Sequence, residues 1–320
     1  MNLKRLVTAL ACVAAVTAGS LDAADGVPPW AFAVNPPGSK PPADDGVPRH
    51  VPNSSAAFTL TQLRDLYNVP DWHPQSHPAM PPIVAQGRKE GGVFACGFCH
   101  LPNGLGRPEN SSLAGLPADY IVQQVAEFKS GARKSSEPAS LPVNFMIAVA
   151  KASHEDEVRI AAEYFASLKR TPWIRVVETD TVPKTKVAGW MLVEESAERE
   201  PIGSRIIEMP EDLERTELRD GASGFVAYVP PGAVARGQAL ASDGGGKTVA
   251  CAICHGAQLQ GLGPVPGLAG RSPSYLVRQL YDMQHGARNG RWSVLMKPVV
   301  AKLDMDDMVA LAAYAASLAP

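Results

Sequence analysis

Apolar and polar positions follow two periods along this chain, and each period marks its own stretches. In "LAGLPADYIVQQVAEFKSGAR" (113–133) the apolar residues recur every three to four positions, and Tyr120 and Gln124 stand four apart on one helical face. "LAGRSPSYLVRQLYDMQHGAR" (268–288) repeats that pattern, with Tyr275 and Gln279 in the same places. "AAEYFASL" (161–168) and "LAAYAASL" (311–318) each predict the end of an Ala-rich helix. Between the two sets the period shortens. "WIRVVETD" alternates, "VAGWMLVEE" and "GSRIIEMP" read as strands, and "SGFVAYVPPG" reads as a strand running into a turn. Upstream, residues 21–81 are broken by proline in "VPPW", "NPPGSKPP" and "HPAMPP", and only "LTQLRDLYNV" (60–69) predicts a short helix.

The helical stretches are copies of each other. Leu113 to Leu268 is an offset of 155, and the same offset relates two further matching stretches, "FACGFCHLPNG" (94–104) and "VACAICHGAQL" (249–259). The terminal helices are related by 150, since Tyr164 matches Tyr314. One copy has therefore gained or lost five residues after "GAR". An internal duplication of this kind predicts two similar units, at about 82–170 and 232–320. A Pro-rich extension precedes them at 24–81, and a small β-rich linker module joins them at 171–231. The expected fold class is mainly α.

At the start of the chain Lys4 and Arg5 precede "LVTALACVAAVTAG" (6–19), an apolar run too short to span a bilayer comfortably, with small residues following. This predicts an export signal over 1–23 and a periplasmic destination, rather than a buried first helix. The residues before Cys12 make a poor lipid-attachment signal. No other stretch approaches a membrane span, so the processed chain is expected to be soluble.

Net charge is −2 over 320 residues, with no basic bias of the kind nucleic-acid binding needs. The linker module carries 12 Asp and Glu against 7 Lys and Arg, while the second unit has 8 basic and 5 acidic residues. The acidic excess reads first as a solvated surface, and otherwise as a docking face for a basic partner. His73 and His77 have a metal-like spacing, but the prolines around them favour surface or haem-edge histidines.

Beyond Cys12 every cysteine belongs to a Cys-x-x-Cys-His motif: Cys96, Cys99 and His100, then Cys251, Cys254 and His255. No cysteine remains for a structural disulfide, despite an oxidising destination. A zinc ribbon would need the pairs close together, and a thioredoxin-like site would need one pair and no histidine. Covalent attachment of haem c accounts for both motifs. Two thioethers fix the porphyrin, and the next residue lies under the iron as its proximal ligand. Met146 and Met296 are offset by 150, as the helices after them are, so they are equivalent positions and candidate distal ligands.

The order of haem motif, Tyr and Gln helix, methionine and Ala-rich terminal helix resembles class I cytochromes c, and the pair of units is similar to the dihaem cytochrome c4 group. The resemblance implies an electron carrier with two His/Met haems, held through Cys96, Cys99, His100 and Met146 and through Cys251, Cys254, His255 and Met296. It also implies redox-protein partners, a donor dehydrogenase or cytochrome and an acceptor oxidase or cytochrome. A haem-bearing subunit of a larger dehydrogenase is the alternative. A dihaem peroxidase is disfavoured, because it needs one iron open to peroxide. The chain departs from the group in its extension, in its linker module, and in Ser111, which stands where the second unit has Pro266. With the longer methionine loop, Ser111 predicts a looser first haem of lower potential.

Overall fold

The computed structural model describes residues 26–320, so the expected export signal and Cys12 lie outside it. Helices dominate. The short α1 (Leu60–Leu63) and α2 (Pro82–Ala85) are followed by α3 (Cys96–His100), α4 (Ala118–Ser130), α5 (Leu141–Ala152) and α6 (Glu155–Ser167). Then come β1 (Ile174–Glu178), β2 (Thr181–Ala188), β3 (Met191–Pro201), β4 (Ile207–Pro210), α7 (Leu213–Glu217) and β5 (Phe225–Val229). The chain closes with α8 (Ala233–Asp243), α9 (Ala252–His255), α10 (Pro273–Gln284), α11 (Ser293–Val300) and α12 (Met305–Ser317). Among the described residues no helix is long and apolar enough to cross a membrane.

The duplicated sequences fold alike because their local signals are alike. α4 follows Pro117, has Asp119 in its first turn and stops at Gly131, whose φ of +79° suits glycine. α10 opens at Ser272, whose hydroxyl accepts the Tyr275 amide, with Pro273 in the first turn. α6 and α12 each start on a capping box, His154 with Glu157 and Asp304 with Asp307. α12 is buried over most of its surface, and its alanines let α8 cross it closely. At the crossing Gly237 is required, since a Cβ there would stand 1.9 Å from the Ala310 carbonyl oxygen. In the first unit the counterpart of α8 is "PAMPPIVAQGR" (78–88). Its three prolines remove amide donors, and only the single turn of α2 survives. The first unit thus has no full-length first helix.

The middle segment forms a three-stranded sheet, β1–β5–β4, with β1 and β5 parallel and β4 and β5 antiparallel. β2 and β3 form a separate hairpin. The apolar stretch "VAGWMLVEE" is not one strand. It turns at Gly189 and Trp190, both with positive φ (58° and 63°), the conformation a two-residue hairpin needs. Continuous hydrophobicity hid the turn because Val182 and Leu192, on the two strands, share one core with Ile207 and Val226 of the sheet.

The segment does more than join the units. Ile206, Ala227 and Val229 lie in the same core as Val309 and Ala313 of α12. The buried Glu208 accepts from the Ser272 hydroxyl (2.7 Å) and from the Ser274 amide (3.0 Å) at the start of α10. The extension is likewise tied down. Phe32 packs edge-on against Tyr281 at 5.5 Å, and Arg278 donates to the Ala31 carbonyl at 2.7 Å. Further along, the Trp72 indole donates to the Leu218 carbonyl at 2.8 Å. His73 and His77 form no metal site, and no metal-ligand cluster occurs among the described residues. Nor are they simple surface groups: His73 pairs with buried Asp220 (2.9 Å) and His77 with Asp71 (3.2 Å). The Asp71 carboxylate, outweighing burial, raises the His77 pKa.

Candidate haem sites

Each Cys-x-x-Cys-His motif is a short helix, α3 or α9, that turns its thiols and imidazole toward one side. A continuous cavity of about 440 Å³ takes in Cys96, Cys99, His100 and Met146 together with Cys251, Cys254, His255 and Met296. All eight residues singled out in the sequence therefore meet one apolar-walled space. The methionines reach it from helices, α5 and α11, rather than from loops.

The two imidazoles are held identically. His100 Nδ1 lies 2.8 Å from the Ser111 carbonyl oxygen, and His255 Nδ1 lies 2.8 Å from that of Pro266. The carbonyl requires the proton on Nδ1, which leaves Nε2 with its lone pair free for a metal. Serine in place of proline has cost the first unit nothing here. Burial lowers both imidazole pKa values, against the carbonyl bonds, and keeps the rings neutral as ligation requires.

Between the units lies an exchange of side chains with near two-fold symmetry. Arg133 and Arg288 face each other in an antiparallel bridge. Arg133 donates to Gln124 of its own unit (2.8 Å) and crosses to the Tyr275 hydroxyl and Gln279 (both 2.9 Å). Arg288 donates to its own Gln279 (3.1 Å) and crosses to Tyr120 (2.8 Å) and Gln124 (2.9 Å). The Tyr and Gln pairs were visible in the sequence as one helix face. Their third member, the arginine of each "GAR", was visible only as part of the repeat. Burial pushes the Tyr275 phenol up, but Arg133 and Arg288 outweigh it and bring it to about 8.

Sequence reasoning missed four further cavity residues. Arg107 and Arg271 sit in the loops after the motifs and are buried. Trp190 is the tip of the β2–β3 hairpin and lies edge-on to Phe145, one residue before Met146. Arg219 comes from beyond α7 and places its guanidinium 3.7 Å over the Phe98 ring, inside the first motif. It adopts φ +62°, a strained conformation for a side chain of this size. Burial and the neighbouring Arg107, against Cys99 and Glu109, bring its pKa down to about 9. Nothing near residue 219 in the sequence signals this reach.

The residues fit covalently bound haem. The wall is apolar, the thiols are spaced one helical turn apart, and each imidazole presents Nε2. Four buried guanidinium N–H positions on the wall, Nε of Arg107, Arg219 and Arg288 and Nη2 of Arg271, have no partner among the described residues. Haem propionates are acceptors of the kind such donors need.

No family model matches the chain. It is 37% identical over 78 residues to cytochrome c-554(548) of Halomonas halodenitrificans, covering 94% of that protein and 24% of this chain. It is 26% identical over 244 residues to cytochrome c4 of Azotobacter vinelandii, covering 75% of this chain and 90% of that one. It is also 26% identical over 250 residues to the thiosulfate dehydrogenase electron acceptor of Thiomonas intermedia, covering 76% of this chain and 83% of that one. The chain is an electron-transfer protein with covalently bound haem c. It belongs to the class I c-type cytochromes, and among them it is similar to the dihaem cytochrome c4 group.

Proposed function

We propose that the first haem is held by thioethers to Cys96 and Cys99 with His100 and Met146 as axial ligands. The second is held by Cys251 and Cys254 with His255 and Met296. The single observation that carries this is the repeated hydrogen bond from His Nδ1 to the carbonyl eleven residues on, at 2.8 Å in both units. Bound haem supplies a reversible Fe(II)/Fe(III) couple. The chain's own residues orient the imidazoles, exclude water and set the local charge. The units at 82–170 and 232–320 work as a tandem pair, and the segments at 24–81 and 171–231 brace them. The chain is exported to the periplasm and carries electrons between redox proteins without turning over a substrate. A methionine at both units disfavours a peroxidase.

A second reading is a haem-bearing partner of a dehydrogenase. It is favoured by the likeness to a protein described as a dehydrogenase's electron acceptor, and by the middle segment, which is larger than a simple tether needs to be.

Replacing Cys96 and Cys99 together by Ala, and separately Cys251 and Cys254, tests the assignment. The intact mass of the purified protein is expected to exceed the processed chain by two haems, and each double variant is expected to lose one. Haem that washes out in acid acetone, or a double variant that keeps both groups, would refute it. Met146→His and Met296→His are each expected to abolish half of the weak far-red sulfur-to-iron band.

A further inference from the structure

The two units hold their histidines alike, and they differ most on the face that carries the haem motifs. In the first unit that face is covered by the chain itself. Arg219 lies over Phe98, and Arg107, 8% exposed, donates to the Thr216 carbonyl. Nearby, Asn103 donates to the Gly221 carbonyl at 2.7 Å, and the Trp72 indole fixes Leu218 from behind. Residues 216–221 thus form a lid that reaches Phe98, Asn103 and Arg107 at once. These three side chains must therefore share one face.

The offset of 155 places Ile253 at the position of Phe98 and Leu262 at that of Arg107. By the repeat they share the corresponding face of the second unit, and nothing in the described chain covers it. Ile253 is 67% exposed and Leu262 61%, and neither lines the haem cavity. Isolated exposed apolar residues need no explanation, but two on the open counterpart of a covered face do.

Charge selects the partner. From residue 244 to residue 303 the only acidic residue is Asp282, which is buried. The same stretch carries exposed Arg291, Lys297 and Lys302, none with a carboxylate partner among the described residues. The helix holding Met296 adds exposed Val294, at 53%. A pair of exposed apolar residues on a stretch whose exposed, unpaired charges are all basic suits an acidic protein that docks transiently.

We propose that the Ile253 and Leu262 face is the docking port for an acidic redox protein, and that the 216–221 lid denies the first unit the same port. Electrons then enter and leave through the second unit, and the first exchanges with it across the Arg133 and Arg288 contact. One electron moves per encounter, reducing one ferric haem as the partner's centre is oxidised. The proposal rests on the electron-carrier reading above.

The test uses the full dihaem protein with a plant-type [2Fe–2S] ferredoxin as the acidic probe. Calorimetric titration at low salt is expected to show binding that weakens with ionic strength, at least about tenfold weaker for Ile253→Glu with Leu262→Glu and for Lys297→Glu. Asn144→Glu, at the first unit's counterpart of Val294, is expected to bind like the parent. Carbodiimide cross-links to the ferredoxin are expected at Lys297 and Lys302. Stopped-flow reduction by the reduced ferredoxin is expected to slow in the same variants, while reduction by ascorbate does not. A parent chain that shows no salt-sensitive binding overturns the proposal. So do unchanged binding in the double variant, cross-links at Lys89, Lys134 or Lys151 of the first unit, or self-association lost in Lys297→Glu. A protein that fails to take electrons even from ascorbate refutes the carrier reading instead.

Discussion

Ser111 and Pro266 occupy the same position in the two units and hold their histidines at the same distance, whereas Phe98 and Ile253, also equivalent, meet a packed arginine in one case and solvent in the other. The comparison separates what duplication preserves from what later segments change. Interior positions are fixed by haem attachment and by helix packing, so the motif and the Tyr and Gln helix keep one offset and the methionine and terminal helix keep another, with the five-residue change confined to the loop between them. Surface positions are free to be covered, and the middle segment has covered one unit alone. Its hairpin tip Trp190 and its Arg219 approach the first site from two directions.

The comparison breaks most sharply at the helix crossing that only the second unit has. Gly237→Ala would push a Cβ into the Ala310 carbonyl, and both helices are buried there. Overpacking of this severity costs about 3 kcal/mol. Pro82→Ala, at the equivalent position of the first unit, is expected to cost under about 1 kcal/mol. Thermal unfolding followed at the haem bands would show the second unit of the Gly237 variant melting first. Equal losses in the two variants would mean that the units unfold as one body and that the difference in their first helices is immaterial.

The structure supports a different expectation for the first haem. A five-residue-longer methionine loop and Ser111 predicted a looser site of lower potential. The longer loop is in fact tied across to the other unit: the Ser136 amide donates to Asp282 at 2.8 Å and the Lys134 amide to the Ala287 carbonyl at 2.8 Å. Met146 sits on a 12-residue helix, and near Cys99 lie buried Arg107, paired with Glu109, and half-buried Arg219. Burial and cations both disfavour the ferric state, so the first haem is expected to have the higher potential. Arg219→Ala is expected to lower that potential by on the order of 1 kcal/mol, about 40 mV for one electron at an effective dielectric constant near 20. A spectroelectrochemical titration that moves the other wave, or neither, would show that the lid does not act on this haem.

What could be read from the sequence and what could not divide along the same line. Haem chemistry leaves a contiguous motif, and helices leave a period, so Cys96, His100, Met146 and their counterparts stood out, as did the repeat that pairs them. Arg219 could not, because its role depends on a contact with Phe98 across more than a hundred residues and on a backbone conformation with no local signature. The hairpin turn at Gly189 was lost for a related reason, since two strands that share one core read as one apolar run. The prolines of "HPAMPP" marked a break in the chain, but that they stand where the second unit has α8 shows only when 78–88 is set against 233–243.

The smallest expected effect lies on the seam between the units, where symmetry is nearly complete. Tyr275 accepts from Arg133 and from the Ser111 hydroxyl at 3.2 Å, and it loses its proton near pH 8. An unfolded tyrosine titrates near 10. The folded phenol therefore releases its proton first, and the group adds stability only as pH rises from about 8 toward 10, with none below about 8. The new negative charge lies on the wall of the cavity both units share, and it favours the ferric state. Both potentials are thus expected to fall as pH rises through about 8, by less than the Arg219 effect because Arg133 and Arg288 screen the phenolate. Tyr275→Phe removes the proton and is expected to flatten this slope, with Tyr120→Phe as the control for a lost hydroxyl on the other side of the seam. Potentials measured from pH 6 to pH 10 would decide it. A slope that survives in Tyr275→Phe would assign the titrating group elsewhere, and a slope confined to one haem would show that the seam is electrostatically less symmetric than its hydrogen bonds.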